Sequence, residues 1–145
     1  IVYTLDIYGQ IDKEQTDWFA NLQTKFPDYV KYKGLVPFDN TTEVLKDYFL
    51  LLFPTKFYTE GIPGTIIDAY AAGVPVVATR WESFEDVILS CRVLGCDFRN
   101  NNCLLNKLII YSNKTNVINK IKKEVLKEAE KYRPENVIQR LTSKL

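Results

Sequence analysis

The chain has 145 residues, 46% hydrophobic and 26% charged, the proportions of one ordinary globular domain with enough apolar surface for a core. Nineteen basic residues against eighteen acidic ones give a formal charge of +1, so the overall balance offers no drive toward nucleic acid or an acidic partner, and any binding must come from local geometry. No apolar run reaches the roughly 18 to 20 residues that span a bilayer, and no basic region precedes an apolar stretch at the amino terminus, so nothing marks a secreted or membrane-spanning chain.

Taken in chain order, Thr4 to Gly9 is rich in β-formers and stops at a glycine, which predicts a strand. From Asp12 to Phe26 the residues Trp18, Phe19, Leu22 and Phe26 recur at helical spacing until Pro27. Tyr29 to Gly34 reads as a second strand, and a short helix is expected from the Asn40-Thr41-Thr42 cap. Tyr48 to Phe53 is a continuous apolar run ended by Pro54, the pattern of a strand buried on both faces. Pro63 to Ala72 follows as a helix with proline in its first turn and Gly73 just past its end. Val74 to Thr79 is the next buried strand. Ser83-Phe84-Glu85-Asp86 has capping-box spacing and predicts another short helix. Cys96-Asp97-Phe98 reads as an edge strand, and Leu104 to Tyr111, Val117 to Tyr132 and Pro134 to Leu141 read as helices, with Val117, Ile121, Val125 and Ala129 on one stripe.

Strands and helices alternating at this spacing imply the α/β class, a doubly wound, Rossmann-like parallel sheet with helices on both faces. Residues 1–145 are expected to form a single domain. The chain has no Met and opens on Ile1-Val2-Tyr3, so it reads as a piece of a longer product. Cys91, Cys96 and Cys103 are odd in number, fit neither a zinc motif nor C-x-x-C, and have no His to assist them. They are expected to be reduced thiols in a cytoplasmic protein.

In a doubly wound sheet, ligands sit beyond the carboxyl ends of the strands, which draws attention to the loop after Phe53. Gly61 and Gly64 let a ligand approach the backbone, and the free amides and dipole of the helix that starts at Pro63 favour an anion such as a phosphate. Glu60 stands just before that site, where a carboxylate is useful if it accepts from sugar hydroxyls. Asp68 lies about one and a half turns into the helix, able to point to the same sheet edge. Thr65-Ile66-Ile67-Asp68 also fits a capping box, which would make Asp68 structural. Arg80 either meets phosphate or pairs with Glu82, and Thr79 is placed to hydrogen-bond near a ligand.

The stretch from Glu60 to Thr79 resembles the motif E-G-x-P-x-x-x-x-[E/D]-A-x-A-x-G-x-P-V-V-A-T of the retaining glycosyltransferases of family 4, group 1 glycosyltransferases with the two-domain GT-B fold. Leu5 to Gly9 and Tyr32 to Val36 are similar to the second and third strands of that family's carboxyl-terminal, donor-binding domain, and Lys131 to Val137 to its closing segment. The resemblance implies transfer of a sugar from a nucleotide-diphosphate donor, as substrate rather than as a tightly bound cofactor, with retention, usually without a bound metal, and in service of polysaccharide biosynthesis. It makes Glu60 the acid that binds donor-sugar hydroxyls, places Gly61, Ile62, Pro63, Gly64 and Thr65 against sugar and phosphate, and gives Asp68 the ribose. The family usually has Glu where Asp68 stands, and the missing methylene shortens the reach by about 1.5 Å.

The resemblance also puts the acceptor, a glycan or a lipid-linked sugar, in an amino-terminal domain not present here, together with the family's first strand and the basic residues that neutralise the diphosphate. A chain with this content is expected to be inactive alone. Lys120, Lys122, Lys123, Lys127 and Lys131 form either a solvated helix face or a peripheral contact with anionic membrane. The alternative to an enzyme is a non-catalytic α/β module that binds a nucleotide or phosphate or docks a protein, and such a module has no use for Glu60.

Overall fold

The computed structural model describes residues 3–88, 94–97 and 100–143, with the backbone alone at Asn101. The fold is mixed α/β with parallel sheets flanked by helices, and the chain divides into two compact units, Ile1–Asn40 and Thr41–Leu145.

In the first unit, β1 (Leu5–Tyr8) and β2 (Val30–Gly34) pair in parallel from Leu5↔Val30 to Ile7↔Tyr32, with a shift in register before Tyr8. A parallel pair needs a crossover, supplied here by a 3-10 turn (Lys13–Gln15) and α1 (Thr16–Gln23). The Asp12 carboxylate caps that turn by accepting from the Glu14 amide at 2.9 Å. Phe19 turns its ring edge to Phe26 and to Tyr32, at centroid distances of 6.3 and 4.9 Å. Trp18 points away from this cluster and is 62% exposed. The predicted helix to Phe26 therefore ends three residues early and buries a narrower stripe than its apolar spacing implied.

The second unit begins with α2 (Thr41–Leu45) and is built on the sheet order β3-β4-β5, all parallel: β3 (Leu51–Phe53), β4 (Val76–Thr79) and β5 (Gly95–Cys96). The central strand β4 is buried along its whole length, while β3 is half-buried. The long apolar run before Pro54 thus yields three residues of edge strand rather than six of buried strand. The remaining helices are α3 (Gly64–Ala71), α4 (Phe84–Val87), α5 (Asn101–Ser112), α6 (Thr115–Ala129) and α7 (Pro134–Thr142), with a 3-10 turn, Glu130–Tyr132, ahead of the last. The core gathers Ile66, Tyr70, Val76, Val77, Phe84, Ile118 and Val125 around β4.

Helix α3 closes as its sequence predicts. Gly73 takes φ +71°, its amide donates to Tyr70 O at 3.0 Å and Val74 N donates to Ala69 O at 2.7 Å. These are the paired bonds of a Schellman ending, which favours glycine because a side chain is strained at positive φ. Two details depart from expectation. The buried stripe of α6 runs through Ile118, Ile121 and Val125, leaving Val117 39% exposed, because a 3-4 spacing holds one face where a strict repeat of four drifts off it. Ser83 makes no side-chain cap, and α4 is a single turn.

Two of the three cysteines are not the reduced thiols expected of them. Cys96 and Cys103 form a disulfide, with Cα atoms 5.6 Å apart. Neither residue stands in a recognised motif. They meet because pairing with Thr79 fixes Cys96 at the end of β5, while the Asn100 side chain caps α5 by accepting from Cys103 N at 3.1 Å, turning the chain back on itself. Cys91 and Phe98 lie outside the described residues. No helix among the described residues is long and apolar enough to cross a membrane.

Candidate functional site

Because β3, β4 and β5 are parallel, their carboxyl ends, Phe53, Thr79 and Cys96, lie on one edge of the second unit. The chain leaves β3 there through residues 54–63 and enters α3, whose first turn is set by Pro63 in extended conformation at φ −66° and ψ 123°. Pro63 is buried and has no N–H, so its part is to fix the start of the helix, and the donors of this stretch are its neighbours. Among the described residues no hydrogen bond reaches the amides of Gly61, Ile62, Gly64 or Thr65, whereas Ile66 N and Ile67 N already turn back to Pro63 O. Four backbone donors around this helix start are therefore left without a partner from the described residues.

Two carboxylates bracket those donors. Glu60 precedes them and Asp68 is the fifth residue of α3. Since α3 starts at Gly64 with no side-chain cap, the capping-box alternative for Thr65 and Asp68 is not formed. Both acids are partly buried, and neither side-chain carboxylate has a hydrogen bond or ion pair. The other partly buried acids among the described residues, Asp6, Glu124 and Glu128, are each set against a lysine. Burial raises the Asp68 carboxyl pKa from its ordinary value. Neither acid is sealed off, for every fully enclosed side-chain polar atom in the described residues has a partner. These are acceptors held ready at a protein surface without an internal donor.

The neighbouring loop after β4 supports this one. Thr79, 7% exposed, donates its hydroxyl to Thr55 O, which satisfies it internally; Glu82 N donates to Tyr58 O at 2.9 Å, and the Trp81 indole Nε1 donates to Gly61 O at 3.1 Å. Arg80 pairs with Glu85 at 2.5 Å, not with Glu82, and lies over the Phe84 ring at 5.4 Å. Helix α5 brings Lys107 into the field of Arg80, and burial first, then that charge, lowers the Lys107 ammonium pKa. A side chain at Gly95 would meet Phe84 at 2.7 Å and Arg80 at 2.9 Å, so glycine is what lets β5 pass beneath this cluster. Among the described residues no three His, Cys, Asp or Glu stand together in a way that could hold a metal ion. Lys107 carried no signal in the sequence, where it is one polar residue of an amphipathic helix.

A family model described as glycosyl transferases group 1 matches residues 2–104, a span that includes Glu60, all of α3 and the β4 edge. The chain belongs to the group 1 glycosyltransferases. No curated protein sequence matches it.

Proposed function

We propose that this glycosyltransferase chain binds a nucleotide-diphosphate sugar at the start of α3 and is the donor side of a retaining enzyme. The observation that carries the reading is the pairing of four free amides with two partly buried, unpartnered carboxylates on one short stretch, Glu60 to Asp68. The amides of Gly61, Ile62, Gly64 and Thr65 meet sugar and phosphate oxygens. Glu60 accepts from donor-sugar hydroxyls and fixes the ring, and Asp68 accepts from ribose hydroxyls.

In this reading catalysis is positional and electrostatic. The helix start stabilises the negative charge that grows on the leaving diphosphate, and Glu60 orients the donor sugar so that its anomeric carbon faces the acceptor. Retention follows the family resemblance of the Glu60 to Thr79 motif. The acceptor, a glycan or a lipid-linked sugar, is held by a separate amino-terminal domain, so the 145-residue chain alone binds donor weakly and transfers nothing.

Saturation-transfer NMR against UDP-, GDP- and ADP-sugars, with the parent nucleotides as controls, tests the assignment. Glu60→Gln is expected to weaken the preferred sugar nucleotide by about tenfold, the worth of a hydrogen bond to a charged group, and to leave the parent nucleotide almost unchanged. Equal affinity of wild type and Glu60→Gln for the sugar nucleotide would sink the role of Glu60, and absence of binding to the whole panel would sink the donor site.

A further inference from the structure

The hydrogen bonds between the two loops are spaced along the chain. Residues 54–63 have no regular structure, yet their carbonyls at Thr55, Tyr58 and Gly61 accept from Thr79, Glu82 and Trp81 in turn. The last of these differs from the others, since it comes from a large ring that is itself immobilised. Trp81 is 3% exposed and sits edge-on between Phe53 and Phe84, at centroid distances of 6.0 and 5.0 Å. A buried indole N–H needs a partner, and here that partner is the carbonyl immediately after Glu60.

The consequence follows from the geometry of the peptide bond. In a planar trans peptide the C=O and the next N–H point in opposite directions. Among the described residues no peptide bond is cis. The Gly61 carbonyl is drawn inward to a buried ring, so the Ile62 N–H of the same peptide is aimed outward. Ile62 is 56% exposed and its amide makes no hydrogen bond.

We infer that Trp81 is a positioning residue for the donor: by holding the Gly61 carbonyl it presents the Ile62 amide to the sugar-phosphate and fixes the backbone beside Glu60. The inference rests on the donor-site reading above, and adds the device that keeps a ten-residue irregular loop in binding geometry before the ligand arrives. Preorganisation of this kind cuts the ordering cost of binding. Trp81 touches no ligand in this arrangement and acts only through Gly61 and Ile62.

The test uses the 145-residue chain and its Trp81→Phe variant, which keeps an aromatic ring between Phe53 and Phe84 and removes the N–H. Nitrogen–proton correlation spectra establish that the variant is folded, and affinities are measured for the preferred sugar nucleotide and for its nucleoside monophosphate. The sugar nucleotide is expected to weaken by about tenfold while the nucleoside monophosphate changes less than about twofold, as when one charge-assisted hydrogen bond is lost. Equal weakening of both ligands, or of neither, overturns the positioning role while leaving the donor site standing. If Trp81→Phe does not fold, the wild-type spectra decide: the Ile62 amide should exchange rapidly in the free chain and become protected and shifted on donor saturation, and an Ile62 amide indifferent to donor overturns the inference. A wild-type chain that binds no sugar nucleotide removes the donor-site reading and this inference together.

Discussion

The two units of the chain use the same parallel β-α-β grammar and reach different degrees of burial. Residues 3–40 contain no fully buried residue, and large apolar groups such as Trp18, Leu35 and Phe38 are 62%, 66% and 93% exposed. Among the described residues, those from Thr41 onward hold the buried core, including Tyr70, Ile66 and Val77 at 0%. Two strands and one helix offer each apolar side chain a single layer to pack against. Three strands with helices around β4 enclose the central strand on all sides. The candidate site sits where the second arrangement ends, so its irregular loop is backed by the buried core around β4. The first unit, by contrast, is held by a few discrete contacts, among them the Tyr32 hydroxyl donating to Gly9 O at 2.7 Å.

The largest effect that separates the two regions should come from Phe84→Ala. Phe84 is 1% exposed and packs against Trp81 while carrying Arg80 on its face, so truncation is expected to cost about 3–5 kcal/mol in denaturant unfolding, as for other buried aromatic residues. A cost below about 1 kcal/mol would mean that the core around β4 collapses to fill the gap and is less rigid than its burial implies. Phe19→Ala, at the half-buried centre of the first unit, should cost about 1–2 kcal/mol, since only part of its surface leaves water on folding. Native-state hydrogen exchange sharpens the contrast: the amides of β1 should exchange faster in this variant, with those of β4 unchanged. Matching acceleration in both strands would break the distinction between the units.

The smallest effect should be at Asp68. Its folded pKa is raised by burial, so the folded chain holds this proton more tightly than the unfolded chain. The contribution to stability is full below the unfolded value of 3.8 and is lost as pH rises through the raised folded value. Asp68→Asn removes that loss. At neutral pH the variant should melt at the same temperature or slightly higher, with a flatter pH dependence in the acid range, and should bind nucleotide less well. A clear drop in melting temperature at neutral pH would show that the carboxylate is structural and not a ligand group held at some cost to stability.

Much of the local geometry of the candidate site was legible before folding because it is encoded locally. Glu60, the glycines, Pro63 and the Gly73 stop lie on one continuous stretch, and the conformational demands of proline and glycine, with the free amides of a helix start, are properties of a few adjacent residues. The extent of β3 was not legible, since an apolar run reports hydrophobicity and leaves open how many of its residues find a paired neighbour. The missing cap at Ser83 has the same origin: the capping spacing is present, but the chain turns with φ −92° and ψ 16° there and leaves the side chain out of the cap.

By itself, then, the sequence determined the α/β class, the parallel β-α-β order and the stretch that bears the candidate site, because periodicity, turn chemistry and a dense local motif act over short separations. Tertiary structure alone decided which distant groups meet. Pairing of Thr79 with Cys96 set up the disulfide to Cys103, α5 carried Lys107 toward Arg80, and the β4 edge delivered the Trp81 indole to the Gly61 carbonyl twenty residues back along the chain. Contacts of this kind depend on sheet register and on the packing of whole elements against one another, which no local pattern of side chains specifies.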